Sequence, residues 1–333
     1  MHDNKNLILE KLINENGMEV TLSNLGAAII NITVPSKNGE RTALTLGYEK
    51  PEDYYNDLNF MGSTPGRYAS FIKDAQFPLN GKLYKLAKND GENMLHGGTP
   101  SFAHRIWESK RDENKVKLTY TSPDGENGFP GTVTVTTSYA LNENNEIVIE
   151  YKAQTDADTA INLTNHVYFN LAGVGTILDH LLELNSDSFI VTDEQQIPTG
   201  EIRSIGGTPM DLTSPKRLGD AIFSGYEAIK QYGGFDNYFA VNGQGLRLAA
   251  RLTDPESGRI LEVLSDLPGI QVYTTQQLPE GTKGRAGFTY GPYSAVCLEA
   301  QKYPDAPNQP SFPSAILREG ETFMATIIYR FRL

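Results

Sequence analysis

The side chains of this sequence alternate. Residues 131–141 read GTVTVTTSYAL, which puts Val133, Val135 and Thr137 on one face. Residues 146–152 read EIVIEYK, 116–121 read VKLTYT, and similar runs fill 260–264, 270–275 and 324–331. Successive side chains of a strand point to opposite faces, so β-branched and aromatic residues recurring with period two mark half-buried strands. Turn dipeptides separate the runs: Asn-Gly at 80–81, 127–128 and 242–243, Asp-Gly at 90–91 and 124–125, and Pro-Gly at 268–269. Helical periodicity is confined to 51–58 and 214–222, each enough for a turn or two. Closely spaced strands along the whole length predict an all-β fold, a large antiparallel β-sandwich. With no repeat, low-complexity segment or linker-like run, the chain reads as one domain, 1–333.

Composition narrows the partners. There are 41 acidic against 29 basic residues, a net charge of −12. Phosphate backbones and anionic bilayers need a cationic surface, so neither a nucleic acid nor a membrane is expected as partner. The one cysteine, Cys297, can close no intramolecular disulfide and lies in an apolar run that suits a buried thiol. The N-terminal MHDNKNLILEKL carries charges where a secretory signal needs an apolar core, and no stretch approaches the ~20 apolar residues of a membrane helix. A cytoplasmic protein is expected, monomer or homodimer.

Three segments carry polar residues where a plain sandwich would not need them. In NMLHGG (93–98) His96 precedes two glycines, which allow a tight backbone and close approach of a ligand; a turn histidine bonded to backbone fits equally. In NLTNHVYFNL (162–171) alternation sends Asn162, Thr164, His166, Tyr168 and Asn170 to one face, either the floor of a wet cleft or a solvated outer face. In AVCLEAQ (295–301) Glu299 ends an apolar run. Desolvation there would raise its pKa toward the range useful for proton transfer, unless it simply points to water at a strand end. Asp236 in GGFDNY and Gln271 in GIQVYTT are further polar candidates, and Trp107 suits either ring stacking or the core. Phosphate-binding glycine loops, HExxH, CxxC and GxSxG motifs are absent, and the five histidines lack metal-ligand spacing, so no metal and no cofactor is expected.

In order along the chain, LGA (25–27), LGY (46–48), GRYA (66–69), LHGG (95–98), DGENGFPG (124–131), NLTNHVYFNL, QVYT (271–274) and LEAQKYPDAPNQPSFP (298–313) resemble the aldose 1-epimerase (galactose mutarotase) family. The resemblance implies a galactose mutarotase-like β-supersandwich acting on free sugars. It also implies Glu299 as general base, His166 as general acid and His96 as the second histidine of the site. Asp236 and Gln271 would bind sugar hydroxyls, with Tyr168, Ser70, Phe71 and Arg67 as further substrate contacts. One departure bears on specificity. The family's G-R-x-A-N-R-I reads GRYASFI at 66–72, so Ser70 and Phe71 stand where Asn and the sugar-contacting Arg would. An aromatic face in place of a cationic fork would either favour a larger sugar, such as a disaccharide like maltose, or weaken activity.

Anomers of such a sugar exchange by ring opening: a base takes the anomeric hydroxyl proton, an acid protonates the ring oxygen, C1–C2 rotates, and the ring recloses. An ordinary Glu titrates near about 4.3 and a His near about 6.5. The His must hold a proton at neutral pH, so its pKa is expected to be raised by a neighbouring carboxylate, with Asp236 the candidate. Three rivals make different demands. A non-catalytic sugar-binding relative would dispense with the acid or base. A glycoside hydrolase needs two carboxyl groups at a set separation, where these motifs offer two histidines and one glutamate. A sugar-phosphate epimerase needs a basic clamp.

Overall fold

The structure, a computed structural model, describes residues 6–35 and 40–333. Residues 1–5, which include His2 and begin the stretch read as lacking a signal sequence, lie outside it. The expected β-sandwich is what forms. A nine-stranded sheet runs, from one edge to the other, Lys216–Arg217, Leu181–Leu184, Arg247–Thr253, Ile260–Ser265, Thr322–Arg332, Glu146–Thr155, Val133–Leu141, Lys115–Ser122 and Glu108–Asp112. A six-stranded sheet runs Tyr168–Phe169, Val296–Gln301, Gly269–Tyr273, Asp236–Ala240, Ser188–Thr192 and Pro198–Ser204. Pairing between these strands is antiparallel throughout. A four-stranded sheet begins with Leu9–Ile13, Glu19–Ser23 and Ala28–Pro35. The segment 51–58 forms a short 3-10 helix, Pro51–Asn56, and 214–222 contains the α-helix Leu218–Ile222. Among the described residues no helix is long and apolar enough to cross a membrane.

Alternation divides the six-stranded sheet into two chemistries. Phe169, Phe239, Ile270, Val272, Val296, Leu298 and Ala300 face the main hydrophobic core. There they meet Val133, Val135, Ile147, Ile149, Val263 and Ile327 of the nine-stranded sheet. Trp107 belongs to this core too, fully buried with its indole N–H donated to the Phe102 carbonyl. On the opposite face the cross-strand register aligns Tyr238, Gln271 and Glu299 in one row, and Asp236, Tyr273, Cys297 and Tyr168 in the next. Directly opposed residues of antiparallel strands share a face, so three adjacent strands build a polar floor. Cys297 is buried within it.

Candidate active site

That floor is the base of a cleft of about 210 Å³. Glu299, Gln271, Asp236, Tyr168, Tyr273 and Gln301 rise from the sheet; His166, His96, Phe60 and Ser70 close over it from loops, and Phe71 from the short strand Phe71–Ile72. Glu299 does not point to water from a strand end. It sits within Val296–Gln301, buried at every position, and is itself 2 % exposed. Its Oε1 lies 3.5 Å from His166 Nε2. The His166 ring stacks on Tyr168, centroids 5.2 Å apart and planes 16° apart, with Phe60 stacked at 6.3 Å.

His96 is held by backbone. It has a left-handed φ of 51° and exchanges two hydrogen bonds with Ser70: its amide donates to the Ser70 carbonyl at 3.1 Å, and its Nδ1 accepts from the Ser70 amide at 3.2 Å. Accepting at Nδ1 leaves the proton of the neutral ring on Nε2, so His96 is a hydrogen-bond donor. Gly97 permits this arrangement, because a Cβ there would fall 2.0 Å from the Gly66 carbonyl oxygen. Phe60, itself at φ 55°, packs 4.7 Å from His96. Its loop is anchored by buried Asp57, whose carboxylate accepts from the Tyr48 hydroxyl and from the amides of Asn59 and Met61.

His96, His166 and Glu299 bring one donor atom each to within 4.8 Å of one another, a two-histidine, one-carboxylate set of the type that binds zinc. His96 does not suit that role. A metal-bound histidine donates its other ring N–H outward, whereas the other nitrogen of His96 faces the Ser70 N–H. The residues fit a hydrogen-bond donor beside a close carboxyl–imidazole pair better than a metal.

Burial governs the charges. It pushes the Glu299 carboxyl well above the ordinary range, and nearby Asp236 adds repulsion. It lowers His166 to about 4, and lowers His96 well below its usual value, with His166 contributing. This corrects the expectation that a carboxylate raises His166: Asp236 is engaged elsewhere, and the drier surroundings decide. Asp236 accepts from Gln271 Nε2 at 2.7 Å and from Gln196 Nε2 at 2.6 Å. Desolvation raises its pKa to about 6 despite both bonds.

Two further expectations are corrected. Arg67 does not line the cleft. It is 2 % exposed, and its guanidinium donates to the carbonyls of Pro130, Gly131, Ser122 and Pro123 and to the Ser122 hydroxyl. The segment 162–170 is not one alternating strand, since within it only Tyr168–Phe169 forms a strand and Asn162 makes an isolated bridge to Tyr68. Asn162 instead bonds the Ala69 carbonyl and both backbone groups of Lys302, and Asn170 bonds the Ser294 carbonyl. Of the five residues, His166 and Tyr168 reach the cleft.

Several lining residues escaped the sequence reading. Tyr273 and Gln301 each stand two residues beyond a candidate, so extending the alternation would have found them. Phe60, Gln196 and Gln277 come from loops, and nothing in their local sequence announces them. Gln301 is notable because neither amide atom has a protein partner, and Glu299 Oε2 and His166 Nδ1 are unpaired as well. Buried polar atoms are normally bonded, so these atoms are free to meet a hydrogen-bonding partner in the cleft.

The whole chain compares with known proteins in the same sense. Residues 10–330 match the aldose 1-epimerase family model. The chain belongs to the aldose 1-epimerase family. It is 39% identical to the galactose mutarotase of Bos taurus, over 94% of this chain and 91% of that protein. It is 32% identical to the aldose 1-epimerase of Escherichia coli (strain K12), over 96% and 94%. Among solved structures, a GalM/aldose epimerase homologue from C. elegans superposes with a TM-score of 0.91 at 31% identity, covering 98% of this chain and 99% of that one. The galactose 1-epimerase of Lactobacillus acidophilus NCFM gives 0.88 at 30%, covering 100% and 96%.

Proposed function

We propose that this member of the aldose 1-epimerase family interconverts the α and β anomers of a free aldose by acid–base ring opening, with residues 1–333 working as a single domain. The observation that carries the reading is the buried Glu299–His166 pair, 3.5 Å apart on a polar floor beside a hydrogen-bond donor, His96. Glu299 accepts the proton of the anomeric hydroxyl while His166 gives one to the ring oxygen; the C1–O5 bond breaks and C1 becomes an aldehyde carbon. Rotation about C1–C2 presents the other face. Closure returns the proton from Glu299 to O1 and that of O5 to His166. His96 Nε2–H steadies the sugar oxygen it meets, and Asp236 with Gln271 accepts and donates to hydroxyls remote from C1. Nothing is oxidised and no group leaves, so the reaction asks for no cofactor.

In this cycle the pair carries one proton. Burial favours its neutral form, with the proton on Glu299, and ring opening uses the form with the proton on His166. A sugar hydroxyl bonded to Glu299 shifts the balance toward the latter, because a hydrogen bond to a carboxylate favours its charged form.

Phe71 is in the cleft wall, Leu58 at its edge is 80% exposed, and no Lys or Arg is found among the described residues that line it. These features support neutral substrates, and a disaccharide such as maltose over a simple hexose. The test is polarimetry of freshly dissolved α-glucose, α-galactose and β-maltose. Wild type accelerates at least one, and Glu299→Gln loses on the order of 10²–10⁴-fold in kcat/KM, the usual weight of one acid–base group. Acceleration that survives the substitution removes Glu299 as base. A wild type that binds sugar without accelerating any is a non-catalytic sugar-binding protein.

A further inference from the structure

A second hollow, a groove of about 530 Å³, lies against the cleft. Gln196 and Gln277 line both. The two spaces are joined along the chain as well. The segment 90–96 starts in the groove with Asp90, Glu92 and Asn93 and ends in the cleft with Leu95 and His96, and the turn 194–196 starts in the groove with Glu194 and Gln195 and ends in the cleft with Gln196. From these continuities we infer that the groove is a second sugar subsite. It takes the non-reducing ring of a reducing disaccharide whose other ring lies over Glu299 and His166. The inference rests on the ring-opening reading and adds to it the residues that select the substrate.

The lining is suited to hydroxyl groups. Asp90, Glu92 and Glu194 supply carboxylate acceptors, Gln195 and Gln277 supply amides, and half-buried Tyr232 adds an aromatic ring, while the buried Asn93 amide is held by the Asp74 amide and Gln195. Among the described lining residues there is no Lys or Arg. Nearby Lys88 is ion-paired with Glu92. Anionic sugars, phosphorylated or carboxylated, are therefore disfavoured, and neutral ones suit both hollows.

The walls are set before any ligand arrives. Asp193 Oδ1 accepts from the amides of Gln195 and Ile197 at 2.9 and 3.0 Å, and Gln196 takes a left-handed φ of 64°. Tyr232 shares a 2.6 Å hydroxyl contact with Thr192 and donates to the Asp193 carbonyl at 3.0 Å. The Asn93 amide reaches Gln195 Oε1 at 3.4 Å, linking the 90–96 segment to the 194–196 turn. A site held this way loses less freedom on binding than a loose one. A pyranose carries C4 across the ring from C1, so a 4-linked second ring points out of a cleft that grips C1–O5, and the groove is the hollow that shares Gln196 and Gln277 with that cleft.

Two measurements test this on the full chain. Polarimetry with α-glucose, β-maltose and β-cellobiose gives kcat/KM for wild type and for the double variant Glu194→Ala, Gln195→Ala. Calorimetry with methyl β-maltoside and methyl β-glucoside, neither of which can open, gives affinity without chemistry. At least one disaccharide is expected to surpass glucose. The double variant should cut its kcat/KM about 5–10-fold, the scale of one or two hydrogen bonds, while glucose changes less than about twofold on the same scale. Methyl β-maltoside should bind wild type more tightly than methyl β-glucoside, and the gap should close in the variant. Equal loss for all sugars, no loss for any, or no affinity gap in wild type would overturn the subsite. Acceleration of no sugar together with a groove-dependent affinity gap would instead sink the ring-opening reading and leave the subsite standing.

Discussion

Asp236 shows how much a single residue yields for the sake of the site. Its folded pKa, about 6, lies above its ordinary 3.8. The folded protein therefore holds a proton there, between those values, that the unfolded chain releases. The sign follows: stability falls as pH rises through this window, and the full cost is present above about pH 6. Asp236→Asn removes the charge. A shift of this size corresponds to at most about 3 kcal/mol, and partial opening to the cleft together with weakened bonds from two glutamines reduces the expected gain to about 1–2 kcal/mol. Chemical denaturation at pH 7.5 and at pH 4 checks this. The variant should be the more stable at pH 7.5, with the difference nearly gone at pH 4, and less active at either. An equal difference at both pH values would show that the carboxylate's ionisation is not the cause. The residue scale is also where the sequence was most legible. Glu299, His96 and Asp236 stand out as polar residues in apolar or glycine-rich runs, Gln271 stands out by strand alternation, and His166 is marked by an alternation that the fold does not keep; one cleft receives all five. Arg67 misled because a motif arginine reads the same whether it meets a ligand or, as here, four carbonyls.

At the scale of the element, Gly269–Tyr273 has two faces with separate duties. Ile270 and Val272 enter the core and Gln271 and Tyr273 enter the cleft. Ile270→Ala should cost about 2–4 kcal/mol, the usual range for a large-to-small change in a close-packed interior, with KM little altered. Gln271→Ala should do the opposite, raising KM with a change in stability within about 1 kcal/mol. Denaturation midpoints and saturation curves on both variants separate the two. If the two substitutions moved the same quantity, the division of faces would be wrong. Strands of this kind were readable because period two survives wherever one face is dry. The stretch 162–167 was not, because its side chains bond backbone from the loops instead of alternating, and that is decided by distant partners such as Ala69 and Lys302. Nor could local pattern reveal Phe60 or Gln196, whose left-handed backbones are imposed by their turns.

For the molecule as a whole, Arg67 ties the 122–131 segment to the loop that leads to Ser70 and hence to His96. Arg67→Ala would leave several buried carbonyls unpaired at about 1–3 kcal/mol each before relaxation. A loss of 3 kcal/mol or more in stability is expected on that basis, measured by urea denaturation. A variant as stable as wild type would mean that those carbonyls find other partners. The long-range arrangement of two sheets was legible as a class, whereas the order of strands within each sheet was not, since pairing joins residues as far apart as Glu146 and Arg330. The architecture also separates what must stay from what can change. Glu299, Gln271 and Asp236 stand on neighbouring strands whose other faces are locked in the core, while Asp90, Glu92, Glu194 and Gln195 hang on surface turns. Turns can lengthen, shorten or be rewritten without disturbing strand register. On the proposed reading, descendants of such a chain acquire new tastes in sugar by editing a few exposed loops, with the strand-borne Glu299, Gln271 and Asp236 inherited intact.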